Sequence, residues 1–197
     1  MIRLRLGSCL LNFDFTFFAV MALFCCLDSD GFGFLSVSAC ALHEFGHLVA
    51  MKIKRERVSG ITFYGGGIKI SGEKQSGSVL VILGGVAVNF TLAAICLFIN
   101  NSYVNIFGVI NLVIGLFNML PISCLDGKQL LDLMLLKLLP PDKAIICSHA
   151  AEKVNIIISI TAIIVLVCFN IVNFSAAIVF VYIFAVDIIS KVCYDKK

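Results

Sequence analysis

The sequence predicts an all-α integral membrane protein of about six transmembrane helices, with a short Gly-rich β-hairpin between the second and the third. The 197 residues are 60% apolar and only 14% charged, with a mean hydropathy of +1.06. Several runs reach the length of about 20 apolar residues that a transmembrane helix needs. All 15 lysine and arginine residues fall in alternate connections between those runs. Since soluble domains carry about 25% charged residues, the composition excludes an ordinary soluble globule.

The six predicted spans follow the apolar runs in chain order. The first two runs hold one acidic residue each, Asp14 and Glu44, while the third and fourth are uncharged. The last run contains Asp187 and divides at Asn170 into two short spans. We interpret the first run as a retained span and not a signal peptide, because Asp28 and Asp30 interrupt the apolar region before a possible cleavage site at Val37–Cys40. The predicted spans cover residues 8–27, 32–51, 77–99, 103–125, 154–170 and 174–190.

The distribution of positive charge predicts the topology. With a cytoplasmic N-terminus, every Lys and Arg lies on the cytoplasmic side, and the three outer connections contain none. We therefore expect a multi-pass protein of the cell membrane, with both termini in the cytoplasm and the lipid bilayer around its spans. The cations form blocks without interleaved aromatic residues, which argues against nucleic acid as a partner. No internal repeat or long linker is present, so we expect one membrane domain over residues 1–197.

Two segments are not predicted to span the membrane. Residues 58–73 contain two short β-type runs around Gly65, Gly66 and Gly67, which predicts a hairpin beside the membrane or re-entrant into it. An unpaired strand edge cannot face lipid, so the hairpin should pack on protein, line a cavity or accept a partner strand. Residues 128–139 predict a Leu-rich helix that is too short to cross the bilayer and suits its interface.

The second predicted span contains the HExxH pattern from His43 to His47. On a helix this spacing places both imidazoles on one face, one turn apart, with Glu44 beside them. Two neutral imidazoles suit Zn²⁺, and the carboxylate can take a proton from an attacking water. The alternative is a pair of histidines buried in helix packing, but ionisable groups within a span are costly and are functional candidates.

A catalytic zinc ion needs a third protein ligand, and the end of the fourth span offers Asp126. Pro121 and Gly127 break the helix on either side, which presents Asp126 from irregular backbone that can line a cavity. His47 and Asp126 lie at similar distances before cytoplasmic lysines, so their depths agree. Alternatives remain for this position: Asp126 can cap the following helix, and the Cys124 thiolate can bind zinc.

Three further polar residues have simpler explanations. His149 fits a solvated histidine in a polar loop before the fifth span. Asp14 and Asp187 lie within a few turns of span ends, where each can pair with a polar group or reach water.

These residues resemble the site-2 proteases, a family of intramembrane zinc metalloproteases. The resemblance rests on His43–His47, on Gly84–Asn89 in the third span, and on the run from Asn118 through Pro121 to Gly127. It covers roughly residues 10–140. The compact layout without a PDZ insertion looks most like the sporulation branch, typified by stage IV sporulation protein FB. Members of that branch often add a CBS domain, which this sequence does not contain.

The resemblance implies that His43, His47 and Asp126 bind one zinc ion and that Glu44 activates the water. It also implies that Asn89, Asn118 and the hairpin hold the substrate strand. The sequence departs from the family pattern at three positions, because Val86 and Cys124 replace common prolines and Lys128 replaces a common glycine.

The leading functional hypothesis is therefore an intramembrane zinc metalloendopeptidase that cleaves a membrane-associated or single-span protein near the cytoplasmic face. A sporulation pro-sigma factor or an anti-sigma factor is the candidate substrate, and a regulatory membrane protein is a candidate partner. Two alternatives use the same ligands: a membrane metal-ion transporter and a catalytically idle regulatory protein.

Overall fold

A computed structural model describes residues 2–6, 9–28, 31–56, 58–64, 67–72, 78–123 and 125–168. The chain divides into two compact units, which we call the N-terminal unit, Met1–Asn118, and the C-terminal unit, Met119–Lys197. Some predictions lie outside the described residues: the span over 174–190, the end of the span over 154–170, Asp187, Cys124, Gly65 and Gly66.

A four-stranded sheet lies in the N-terminal unit, in the order β1-β2-β3-β4. The strands are β1 (Ile2–Leu6), β2 (Cys9–Phe13), β3 (Val58–Tyr64) and β4 (Gly67–Gly72). β1 pairs with β2 and β3 pairs with β4 in antiparallel fashion, whereas β2 and β3 run parallel. The predicted hairpin is therefore present as β3 and β4, and it belongs to a larger sheet.

The prediction of a span over residues 8–27 is wrong at its N-terminal end. Residues Cys9–Phe13 form β2, and the helix that follows, α1 (Phe15–Leu27), has only 13 residues. A hydropathy window registers that Cys9–Phe13 is largely apolar, but it cannot register that this run pairs with β3 as a strand. The side chains of Phe13 and Phe63 then stack across the parallel pair, with ring centroids 4.6 Å apart.

Asp14 and Asp28 have capping roles at helix starts in the N-terminal unit. The backbone N–H and the hydroxyl of Thr16 donate to Asp14 Oδ1 at 3.0 and 3.1 Å, and they hold the pKa of that carboxyl below its usual value. Backbone N–H groups, that of Gly33 foremost, likewise hold the pKa of Asp28 low. Asp14 therefore stabilises the first turn of α1.

Three more helices complete the N-terminal unit: α2 (Phe32–Ile53), α3 (Val79–Leu97) and α4 (Ser102–Asn118). Among the described residues, three helices are long and apolar enough to cross a membrane: Phe32–Ile53, Val79–Leu97 and Pro141–Thr161. The shorter α4 is also apolar. These helices mark the chain as a membrane protein, while the count of six spans and the orientation of the termini stay predictions.

Small and polar residues recur among the buried residues of α2, α3 and α4. On α2 the buried face includes Ala39, His43, Gly46 and Ala50, which recur at helical spacing. A Cβ on Gly46 would collide with the carbonyl oxygen of Gly84 in α3, so the backbones of these helices approach closely. This close packing places the histidine face of α2 directly against α3.

The C-terminal unit contains two described helices, α5 (Asp126–Leu138) and α6 (Pro141–Cys168). The predicted Leu-rich helix over 128–139 corresponds to α5. The predicted loop around His149 is wrong, since α6 begins at Pro141, 13 residues before the predicted start at 154. A proline suits the first turn of a helix, because that turn has no partner for a backbone N–H. His149 remains an exposed side chain, but it lies on a helix.

Candidate metal centre

His43 and His47 present their rings from adjacent turns of α2. His43 is 4% exposed and His47 is half-buried, so both lie within the packed part of the N-terminal unit. Their Nε2 atoms are 3.1 Å apart. The predicted helical placement of the two imidazoles on one face is therefore what the structure shows.

A backbone carbonyl determines the tautomer of His47. Its Nδ1 lies 2.8 Å from the carbonyl oxygen of Val81, which can only accept a hydrogen bond. Nδ1 therefore carries the proton in the neutral ring, and Nε2 is the unprotonated nitrogen.

Asn89 determines the tautomer of His43 by the same logic. The Asn89 amide nitrogen donates to Asn111 Oδ1 at 2.9 Å and to the Ala39 carbonyl at 3.4 Å. The Asn89 oxygen thus faces His43 Nδ1, at 2.5 Å, and accepts its proton. Nε2 of His43 is again the unprotonated nitrogen in the neutral ring, and it faces the unprotonated Nε2 of His47.

Two converging lone pairs repel each other unless a proton or a cation lies between them. Two nitrogen ligands at about 2.0–2.1 Å from one tetrahedral zinc ion would lie about 3.3 Å apart. The observed separation of 3.1 Å between the Nε2 atoms of His43 and His47 is close to that value. Hydrogen bonds that fix the Nδ1 side of each ring are also typical of zinc-binding histidines. This part of the site therefore fits a divalent metal ion.

Gly85 of α3 leaves the space into which both imidazoles point. A Cβ at this position would lie 2.5 Å from His47 Nε2 and 2.7 Å from His43 Nε2. Any side chain larger than hydrogen would therefore displace the rings. The sequence run Gly84–Asn89 supplies both this clearance and the Asn89 amide, one helical turn apart.

Asn111 is a supporting residue that the sequence reasoning missed. Its side chain is fully buried in α4, where the amide nitrogen donates to the Phe107 carbonyl at 2.9 Å and the oxygen accepts from Asn89. An asparagine near the middle of the uncharged fourth span was the available signal, because a buried amide needs partners. The relay from Asn111 through Asn89 orients the ring of His43.

The other predicted site residues lie as follows. Glu44 is half-buried on α2, and Asn118 ends α4 with its amide donating to the Ile114 carbonyl at 3.0 Å. In the C-terminal unit, Pro121 lies in the segment before α5, and Asp126 and Gly127 are the buried first residues of α5. Gly67 is the first residue of β4. The roles of these residues stay predictions, and the role predicted for Asn89 in holding substrate is also untested.

Asn89→Ala is expected to weaken zinc binding by about 10- to 100-fold, because His43 loses the hydrogen bond that fixes its tautomer and ring orientation. Competition with a chelator in the purified, detergent-solubilised chain measures the affinity. Thr91→Ala is the matched control on the same helix, since the exposed Thr91 hydroxyl donates to the Ala87 carbonyl of that helix. Equal affinities of the Asn89 variant and the control would contradict this role.

Comparison with known proteins adds a structural likeness. No protein-family model matches the sequence, and no curated protein matches it. A solved structure, a site-2 protease from Methanocaldococcus jannaschii, matches with a TM-score of 0.62 and 21% sequence identity, over 93% of this chain and 91% of that chain. At this identity the likeness shows that the two chains share a fold.

Proposed function

We propose that the protein is an intramembrane zinc metalloendopeptidase of the site-2 protease type. The observation that carries the proposal is the convergence of the two Nε2 atoms of His43 and His47 while both Nδ1 atoms are hydrogen-bonded. The fold shared with the site-2 protease from Methanocaldococcus jannaschii supports it. The substrate would be a membrane-associated or single-span protein, cleaved near the cytoplasmic face.

Asp126 is the third ligand in this proposal. Its carboxylate would join the imidazoles of His43 and His47. Two imidazoles and one carboxylate are a ligand set that catalytic zinc sites use, with the fourth position left open. The Cys124 thiolate remains the alternative third ligand.

In the proposed hydrolysis, different residues of the chain have different roles. When bound, zinc supplies Lewis-acid polarisation of the substrate carbonyl and lowers the pKa of a water molecule. Glu44 accepts a proton from the attacking water and delivers it to the nitrogen of the broken peptide bond. Asn89 and the Val81 carbonyl keep both rings oriented, and Gly85 keeps the space before them clear.

Substrate must reach this site as an extended strand, because the hydrogen bonds of a helix hide its amide groups. β4 lies at one edge of the sheet, next to β3. An edge strand offers unpaired backbone groups to an incoming segment, so we propose that the hairpin of β3 and β4 binds the unwound substrate as an added strand. Asn118 would contact the same segment.

A photocrosslinking scan tests the hairpin. A crosslinkable residue placed in turn at each position from 61 to 70 should capture substrate at alternate positions, because successive side chains of a strand face opposite sides. A scan over the exposed positions 109, 112, 113 and 116 of α4 is the control, because those side chains point away from the packed face of that helix. Absence of any substrate contact between 61 and 70 would refute the added strand.

Cleavage of co-expressed proteins tests the proposed function itself. The chain is expressed with candidate single-span substrates, including a pro-sigma factor and an anti-sigma factor, and products are followed by blot in cells with and without it. We expect a shortened product only where the chain is present. A chain that binds zinc but cuts none of the substrates would favour metal-ion transport or an idle regulator.

A further inference from the structure

We infer that one face of α6 positions Asp126 through two polar contacts. Glu152 contacts a residue before Asp126 in the sequence, and Ser148 contacts a residue after it. The inference rests on the proposed function, in which Asp126 is a zinc ligand. All the residues involved lie in the C-terminal unit. Neither Glu152 nor Ser148 takes part in the proposed chemistry, so both are positioning residues.

The face is defined by three buried positions at four-residue spacing. Ala144, Ser148 and Glu152 are 1%, 4% and 3% exposed, whereas most of their neighbours on α6 are exposed. Four-residue spacing places these side chains in one row along the helix. A buried carboxylate is costly unless it is hydrogen-bonded, so the contacts of Glu152 are informative.

The first contact lies three residues before Asp126. Glu152 Oε1 accepts hydrogen bonds from the backbone N–H of Ser123, at 3.2 Å, and from the Ser123 hydroxyl. Ser123 belongs to the short segment between α4 and α5 and has no helical partner for its N–H. Glu152 therefore fixes both the backbone and the side chain of Ser123, which lies in the segment that leads into Asp126.

The second contact lies two residues after Asp126. The Lys128 ammonium, on a residue that is 8% exposed, donates to Ser148 Oγ at 2.6 Å and to both oxygens of Asp132 at 2.8 Å. The Ser148 hydroxyl in turn donates to Asp132. Lys128 replaces a glycine that is common in the resembled family, and here it ties the first turn of α5 to α6.

Packing beneath the first turn limits movement further. A Cβ on Gly127 would collide with the backbone of Met119 and Leu120, so these two residues pack closely against the start of α5. With the Glu152 and Ser148 contacts on either side, the backbone of Asp126 is held before any metal binds. Such preorganisation lowers the ordering cost of ligand binding.

The test compares Glu152→Ala, Glu152→Gln and Ser148→Ala in the full chain, with Lys153→Ala as the control on the exposed side of α6. Amide hydrogen exchange is measured without metal, over peptides covering 119–128. Zinc affinity is measured by chelator competition. We expect Glu152→Ala to raise exchange across 122–126 by about tenfold and to weaken zinc binding by about 10- to 100-fold. Ser148→Ala should raise exchange mainly at 126–128.

Glu152→Gln separates positioning from general destabilisation. Glutamine keeps a carbonyl oxygen that accepts from Ser123, so it should restore most of the protection and the affinity. Wild-type exchange in Glu152→Ala, a rise spread evenly over α5 and α6, or faster exchange with unchanged zinc affinity would each overturn the inference. If the wild-type chain binds no zinc, the proposed function fails, and the exchange result alone decides whether the two contacts hold this segment.

Discussion

Glu44→Gln is expected to abolish most cleavage while leaving zinc bound. The amide keeps the size and shape of the carboxylate, but it cannot accept a proton from the attacking water. Loss of a general base typically costs about 10²–10⁴-fold in rate. Because Glu44 is not among the proposed ligands, zinc affinity should stay within about twofold of wild type. Substitution of a residue that orients a histidine is expected to lower the affinity much more.

Initial rates of cleavage and the zinc content of the same preparations provide the measurement. Glu56→Gln is the matched control, because it makes the same chemical change near the end of α2 but outside the HExxH motif. Cleavage at the wild-type rate by the Glu44→Gln variant would refute the assigned role. Loss of zinc from that variant would show instead that the carboxylate belongs to the ligand set.

Among substitutions that add a single methyl group, Gly85→Ala is expected to cause the largest loss of zinc binding. The new Cβ would meet Nε2 of His47 at 2.5 Å and Cε1 of His43 at 2.6 Å. Neither ring can move without loss of its Nδ1 hydrogen bond, and the helix backbones are already in close contact. We expect zinc affinity to fall by about 100-fold or more and cleavage to disappear with it.

Gly108→Ala provides the control for packing. Its Cβ would be about as crowded, at 2.6 Å from the Cβ of Cys96, but that contact joins α3 and α4 away from the histidines. Thermal unfolding, followed by circular dichroism, should show that both variants are less stable than wild type. Zinc binding should be lost only in the Gly85 variant. If the Gly108 variant loses zinc equally, the effect of Gly85→Ala reflects helix packing and not the metal centre.

The sequence was sufficient for features whose signal is local. The HExxH spacing predicted that His43 and His47 share a face of α2, and turn glycines between β-type runs predicted the hairpin. The length of apolar runs predicted α3 within two residues at each end. In each case a periodicity within one segment determines the outcome.

Features that depend on partners distant in sequence could not be predicted. β1 and β2 are strands because β2 pairs with β3, about 50 residues later, and a hydropathy window cannot register such a pairing. The relay from Asn111 through Asn89 to His43 joins three helices. The role of Glu152 has no signal in its own segment, because its partner Ser123 lies 29 residues earlier. Tertiary contacts give these polar residues their roles, and such contacts leave no pattern within the individual segments.

The zinc content of the purified full chain tests the central claim most directly. Metal analysis of the wild-type protein and of His43→Ala, His47→Ala and Asp126→Ala, each purified without added metal, measures it. We expect about one zinc ion per wild-type chain, as one catalytic site requires, and little or none in each of the three variants. A wild-type chain without zinc, or zinc retained after His47→Ala, would contradict the account.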